Sequence, residues 1–205
     1  MNRGPVIRKI LVYAVYVLLI ASFQVTFPRV ISFGGQVADL MLVFTVLAGY
    51  LFGFKDGAVI GIAMGILRDY YSSPSITGID GKPVVTCAIG LLVLFLAGTV
   101  GASFFTVKMK RNVLFAFAAV AFITLCYKIA GHLAIFLWHR IALGTTYNLT
   151  FGAIILHSIL PQLLLNMIAS VPIILLLKFA GPYRKGVNTA LIDEEKGGEQ
   201  LWLTI

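Results

Sequence analysis

Charged residues are scarce in this sequence. Only 12% of its 205 residues are Asp, Glu, Lys or Arg, and 60% are hydrophobic, whereas soluble globular domains carry about 25% charged and about 45–50% apolar residues. So little charge cannot cover a surface that faces water, which excludes a soluble enzyme and a secreted domain. The high apolar content also excludes intrinsic disorder. The composition therefore predicts a polytopic membrane protein.

The sequence also lacks the patterns of an enzyme or a metal site. It contains no paired-carboxylate site, no HExxH zinc motif and no Walker phosphate loop. Its two cysteines, Cys87 and Cys126, lie in apolar runs without a CxxC partner or a metal-ligand neighbour, so we expect both to be buried as small hydrophobic residues. We predict no catalytic activity, no cofactor and no bound metal.

Six apolar segments predict membrane spans, since a helix crosses about 30 Å of hydrocarbon with about 20 residues. They cover residues 9–27, 39–54, 56–70, 83–107, 112–143 and 151–179. The second and third are short, and are either two helices joined by a tight turn or one long bent helix; the polar Lys55-Asp56 pair favours two. The fifth and sixth segments are longer than the hydrocarbon layer is thick, so their helices must tilt, bend or project from it. Pro161 and Pro172 provide bending points for the sixth. We predict a six-helix transmembrane domain over residues 1–182 and a polar cytoplasmic tail over 183–205.

The basic residues predict the orientation, because cytoplasmic segments carry an excess of Lys and Arg. With the N-terminus in the cytoplasm, the inside segments hold eleven, namely Arg3, Arg8, Lys9, Lys55, Lys108, Lys110, Arg111, Lys178, Arg184, Lys185 and Lys196. The outside segments hold four, namely Arg29, Arg68, Lys82 and Arg140. Both termini are therefore expected in the cytoplasm. The net charge of +8 indicates topology signals and contacts with membrane lipids, and no nucleic-acid partner, because no basic stripe is interleaved with stacking aromatic residues.

A strip of glycines marks the third span, with Gly57, Gly61 and Gly65 at intervals of four residues. Arg68 and Asp69 extend the strip at its outer end, and Gly49 and Gly53 form a shorter version on the second span. Small residues at this spacing let another helix backbone approach closely. The strip either packs against the protein's own bundle or receives the transmembrane helix of a partner, and spacing alone does not separate the two.

Ionisable residues also lie inside the fifth span, where Lys128 and His132 are four residues apart and His139 occupies the same sector further on. Such groups are expensive at membrane depth and normally face protein or a watery cavity. They either line a proton or substrate path or make satisfied polar contacts; the absence of Asp and Glu from spans four to six favours the second reading. In the sixth span His157, Gln162 and Asn166 are expected to hydrogen-bond between helices.

The stretch from Asp39 to Gly78 resembles the MreD family of bacterial rod shape-determining proteins. The residues that carry the resemblance are Asp39-Leu40-Met41-Leu42 at the start of the second span, the glycine helix from Gly57 to Arg68-Asp69, the following Ser73-Pro74 and Gly78, and Leu165-Asn166 with Pro172 six residues on. The chain departs from the family pattern at Ala38, where the family has proline, and in a longer outer loop containing Gly81-Lys82-Pro83.

The resemblance implies a non-enzymatic subunit of the bacterial cell-elongation (rod) complex in the cytoplasmic membrane. Such a subunit would bind the single-span protein MreC and, through it, MreB and the peptidoglycan synthases, and would help to organise peptidoglycan synthesis and cell shape. It also implies an all-α bundle similar to the substrate-binding subunits of energy-coupling-factor transporters. A vitamin-binding transporter subunit is therefore the main alternative function, which the glycine strip would serve equally well. A membrane-embedded enzyme acting on lipids lacks an acid–base constellation.

Overall fold

The computed structural model describes residues 4–26, 32–71, 75–77, 83–85, 89–103, 113–141, 143–145 and 150–182. The predicted cytoplasmic tail, Cys87, Lys82, Lys108 and Lys110 lie outside these residues.

Six helices form most of the described chain: α1 (Gly4–Thr26), α2 (Leu40–Phe52), α3 (Phe54–Tyr71), α4 (Ile89–Ser103), α5 (Val113–Ile141) and α6 (Phe151–Phe179). Two antiparallel hairpins connect them: β1 (Ser32–Phe33) with β2 (Gln36–Val37), and β3 (Ser75–Thr77) with β4 (Pro83–Val85). The helical class expected from the sequence is confirmed. Three of these helices, over Ile7–Thr26, Val113–Ile141 and Phe151–Phe179, are long and apolar enough to cross a membrane; α2 and α4 are shorter apolar helices.

The predicted start of the fourth span at Pro83 is wrong. Residues Pro83–Val85 pair with Ser75–Thr77 as a strand, and α4 begins only at Ile89. Two adjacent β-branched valines favour an extended backbone, and a proline at the first strand position removes a donor that the ladder does not need there.

α2 is the central helix of the bundle. Every residue from Met41 to Phe52 is buried, and α2 packs against each of the other five helices. A helix that is apolar on all sides belongs in the middle of a bundle. The other helices arrange themselves around it, so residues at the two ends of α2 can meet residues from distant parts of the chain.

The segments predicted as the second and third spans are two separate helices, α2 and α3, as the polar Lys55-Asp56 pair suggested. Gly53 lies between them with a φ of 96°, a backbone conformation that favours glycine. The chain reverses so sharply that a Cβ built on Gly57 would lie 2.7 Å from Gly49 Cα. We call the end of the bundle that holds this turn the Asp56 end, and the opposite end, where α2 begins and α3 stops, the Asp39 end.

α6 contains a π-helical turn over Ile155–Ile159, where the Leu160 amide donates to the carbonyl of Ile155, five residues back. Pro161 follows directly. Proline has no N–H to give and its ring clashes with the carbonyl four residues earlier, so a wider turn relieves the helix at this point. Of the two predicted bending points of the sixth span, Pro161 directly follows an irregular turn. At the other, Pro172, the helix continues without interruption to Phe179.

Cys126 is exposed, so the expectation that it is buried is wrong. α5 buries the face that carries Ala116, Ala119, Val120, Ile123 and Thr124. Cys126 follows Thr124 by two residues, about 200° around the helix, and therefore faces outward.

Candidate functional site: polar joints and a glycine contact inside the bundle

The glycine strip of α3 lies against α4 of the same chain. A Cβ built on Gly61 would lie 2.5 Å from the Leu94 carbonyl oxygen and 2.8 Å from Phe95 Cα. Gly57 meets the carbonyl of Gly98 in the same way, and Gly65 meets Leu91 Cα. The atoms in the way are backbone atoms, so no side-chain rotation would make room. The strip therefore packs inside the protein's own bundle, which is the first of the two alternatives that the sequence left open.

The Asp39 carboxylate joins α2 to α3 at the Asp39 end. Its Oδ1 accepts a hydrogen bond of 3.0 Å from the Leu42 amide and so caps the N-terminus of α2. Its Oδ2 lies 2.8 Å from Arg68 Nη1 in α3. A negative side chain at a helix N-terminus satisfies an unpaired amide and interacts favourably with the helix dipole. One buried carboxylate therefore both starts α2 and ties it to the end of α3.

Arg68 extends this joint to α5. Its Nη2 donates a 2.8 Å hydrogen bond to the hydroxyl of Tyr127, and its guanidinium lies 5.2 Å from the centre of the Tyr127 ring. The planar guanidinium offers five donors, which suits a position between a carboxylate and a phenol. Tyr127 was not predicted as a site residue, although it directly precedes Lys128.

Asn166 connects α6 to the same place and is completely buried. Its Oδ1 accepts a 2.7 Å hydrogen bond from the Asp39 amide, and its Nδ2 donates to Thr124 Oγ1 of α5 at 3.0 Å. The interhelical hydrogen bonding predicted for Asn166 is present. Gln162 is also buried, whereas His157 is exposed on the π-helical turn.

Asp69 caps a different helix from the one it belongs to. Its two carboxylate oxygens accept hydrogen bonds from the Gly90 amide at 2.7 Å and the Leu91 amide at 3.0 Å, at the N-terminus of α4. A Cβ on Gly90 would meet the carboxylate of Asp69, so a larger residue there would require the Asp69 side chain to shift. The two aspartates of the resemblance thus have parallel roles as caps of α2 and α4.

A second joint, at the Asp56 end, was missed by the sequence analysis. Lys9 Nζ of α1 lies 2.7 Å from Asp56 Oδ1, and the Tyr13 hydroxyl donates to Asp56 Oδ2 at 2.7 Å. Asp56 is only 1% exposed. From the sequence alone, Lys9 indicates topology and Asp56 a turn. The signal for their pairing is a base that precedes one apolar segment and an acid that follows another.

The polar pair of α5 contacts α6 and β2. Lys128 Nζ donates to Gln36 Oε1 at 2.8 Å and lies 3.4 Å from Ser158 Oγ. His132 Nε2 lies 2.9 Å from the same Ser158 oxygen. Lys128 and His132, which were predicted to share one side of the fifth span, thus both contact the hydroxyl of Ser158 in the π-helical turn. His139 is separate, with its Nδ1 3.0 Å from Thr145 Oγ1.

The described residues contain no group of three or more His, Cys, Asp or Glu side chains that could hold a metal ion. Comparison with protein families, with curated proteins and with solved structures finds no match for this chain. The fold and the polar joints define an α-helical protein with three helices suited to crossing a membrane.

Proposed function

We propose that the chain is a non-enzymatic membrane scaffold of the MreD type, with six spans, both termini in the cytoplasm, and MreC as its direct partner. The strongest support is that the residues that carry the resemblance hold the helices of the bundle together. Asp39, Arg68, Asp69 and Asn166 each hold helices together, and the glycine strip closes α3 onto α4. These residues build the bundle itself.

On this proposal, α2 and α3 are two short spans that turn at the cytoplasmic Asp56 end. The 13 residues of α2 and 18 residues of α3 correspond to about 20 Å and about 27 Å at 1.5 Å per residue. Such helices fit where the surrounding helices bury them and polar joints close their ends. Single cysteines at Lys82 and Lys110 should label from opposite sides of the membrane; labelling from one side would contradict the six-span topology.

The partner helix needs a face other than the glycine strip, because α4 already occupies that strip. The experiment solubilises membranes in mild detergent and measures how much MreC co-purifies with the full chain. We expect MreC to be recovered, and a control MreC whose transmembrane segment is replaced by an unrelated apolar helix to be lost. Equal recovery of both would show that the contact is made elsewhere, and recovery of neither would contradict the proposal.

The alternative function, a vitamin-binding transporter subunit, is favoured by one observation. Lys128, His132, Gln36 and Ser158 converge at the Asp39 end, where an outward-open pocket would lie. Binding of a vitamin by the purified chain with nanomolar affinity, about −12 kcal/mol, would replace the scaffold proposal by this one.

A further inference from the structure

The polar cluster formed by Gln36, Lys128, His132 and Ser158 has the positive charge of Lys128 at its centre. Lys128 contacts a neutral amide and a neutral hydroxyl, and an ammonium has three donors. Neither α5 nor α6 contains Asp or Glu. The nearby carboxylate of Asp39 is already engaged by Arg68 and the Leu42 amide. Within the described residues, no carboxylate is hydrogen-bonded to Lys128, so the cluster is complementary to an anion.

With the basic residues at one membrane edge, as the proposed topology has them, the cluster lies near the depth of a phospholipid headgroup at the other edge. Lys128 and His132 follow Val113 by 15 and 19 residues, which is about 22 Å and about 28 Å along α5. Ser158 precedes Lys178 by 20 residues, or about 30 Å along α6. Basic residues near Val113 and at Lys178 fit one edge of a hydrocarbon slab about 30 Å thick. Both helices therefore independently place the cluster near the other edge.

The surface below the cluster, toward the centre of the slab, suits acyl chains. On α5 the exposed side chains there are Phe122 and Leu125, and on α6 they are Leu160 and Leu164. A polar, cationic group of atoms above an exposed apolar surface matches an amphiphile whose headgroup is anionic. A free anion would make no use of the apolar part.

We propose that Lys128 and Ser158, with His132 orienting the Ser158 hydroxyl, bind the phosphate of an anionic phospholipid in the leaflet at the Asp39 end. The Lys128 ammonium supplies the charge. When Lys128 Nζ and a protonated His132 Nε2 donate to Ser158 Oγ, at 3.4 Å and 2.9 Å, the one hydroxyl hydrogen of Ser158 is left to donate to the phosphate. The acyl chains lie along the exposed apolar side chains of α5 and α6. This site is distinct from the helix joints and does not depend on which partner the chain binds.

The test is native mass spectrometry of the full chain in mild detergent with added phosphatidylglycerol. We expect one retained phosphatidylglycerol per chain, weaker retention of phosphatidylcholine, and an affinity at least about tenfold lower in Lys128→Gln, which is about 1.4 kcal/mol. The matched control is Lys178→Gln, an exposed cation at the opposite end of α6, which should bind as the unchanged chain does. If Lys128→Gln fails to fold, His132→Gln and Ser158→Ala should each give a smaller loss.

Three results would overturn the proposal. Unchanged retention in Lys128→Gln would show that the cluster does not hold the headgroup. Displacement of phosphatidylglycerol by an equimolar amount of inorganic phosphate would identify a site for a free anion. Equal retention of phosphatidylcholine and phosphatidylglycerol would show an annular lipid that is not selected by charge.

Discussion

Replacing Gly61 by alanine adds one methyl group where α3 and α4 leave no room for it. The new Cβ would lie 2.5 Å from the Leu94 carbonyl oxygen and 2.8 Å from Phe95 Cα, whereas ordinary contact begins at 3.4 Å. Because both obstructing atoms belong to the backbone, the two helices must separate by about 1 Å at this turn. Adjustments of this kind cost about 1–3 kcal/mol.

The better helix propensity of alanine offsets at most about 1 kcal/mol of this cost. We therefore expect Gly61→Ala to lower the free energy of unfolding by about 1–2 kcal/mol. The matched control is Gly131→Ala in α5, where a Cβ would meet nothing within 4 Å. That variant should be as stable as the unchanged chain, or more stable by up to about 1 kcal/mol.

The measurement is an unfolding titration with sodium dodecyl sulfate in mild-detergent micelles, followed by tryptophan fluorescence. Gly61→Ala should unfold at a lower mole fraction of the denaturing detergent than Gly131→Ala. Equal midpoints for the two variants would refute the close packing of α3 on α4. Unchanged stability of Gly61→Ala together with a loss of MreC co-purification would instead assign the strip to a partner.

Asp56→Asn should destabilise the protein by about 3–5 kcal/mol in the same titration, because Lys9 is left without its carboxylate; adding Lys9→Met should recover much of the loss. The control is Lys55→Gln at the exposed neighbouring position, which should change stability by less than about 0.5 kcal/mol. An Asp56→Asn variant as stable as this control would contradict the pairing of Lys9 with Asp56. Asp69→Ala should cost about 1–2 kcal/mol by removing the acceptors of two α4 amides, with faster hydrogen exchange at Gly90 and at the residue after it. Exchange that stays as slow as in the unchanged chain would show that Asp69 does not cap α4.

The local features of the fold were predictable because each depends on residues close together in sequence. The Gly53 turn follows from a polar pair between two short apolar runs, and the close contact of α3 follows from glycines four residues apart. The strand at Pro83–Val85 was missed because an apolar run next to a helix has no period of its own to distinguish it.

The polar joints were predictable only in part, since their partners are far apart along the chain. Asp39 and Asn166 are separated by 127 residues, and nothing in either neighbourhood specifies the other. Asp39 was singled out only through the resemblance, and Asn166 also as a residue expected to hydrogen-bond between helices, but neither line of reasoning gave their contact or its geometry. Lys9 is explained locally as a topology signal and Asp56 as part of a turn. Nothing near either residue in the sequence specifies that the two pair in the folded protein.

The most direct test of the scaffold proposal is a binding measurement on one preparation of the full chain in lipid vesicles, with labelled MreC and a panel of vitamins as the two classes of ligand. We predict saturable energy transfer between the chain and MreC that free vitamins do not reduce, and no transfer to an MreC whose transmembrane helix has been exchanged. Nanomolar binding of a vitamin without energy transfer to MreC would contradict the proposal.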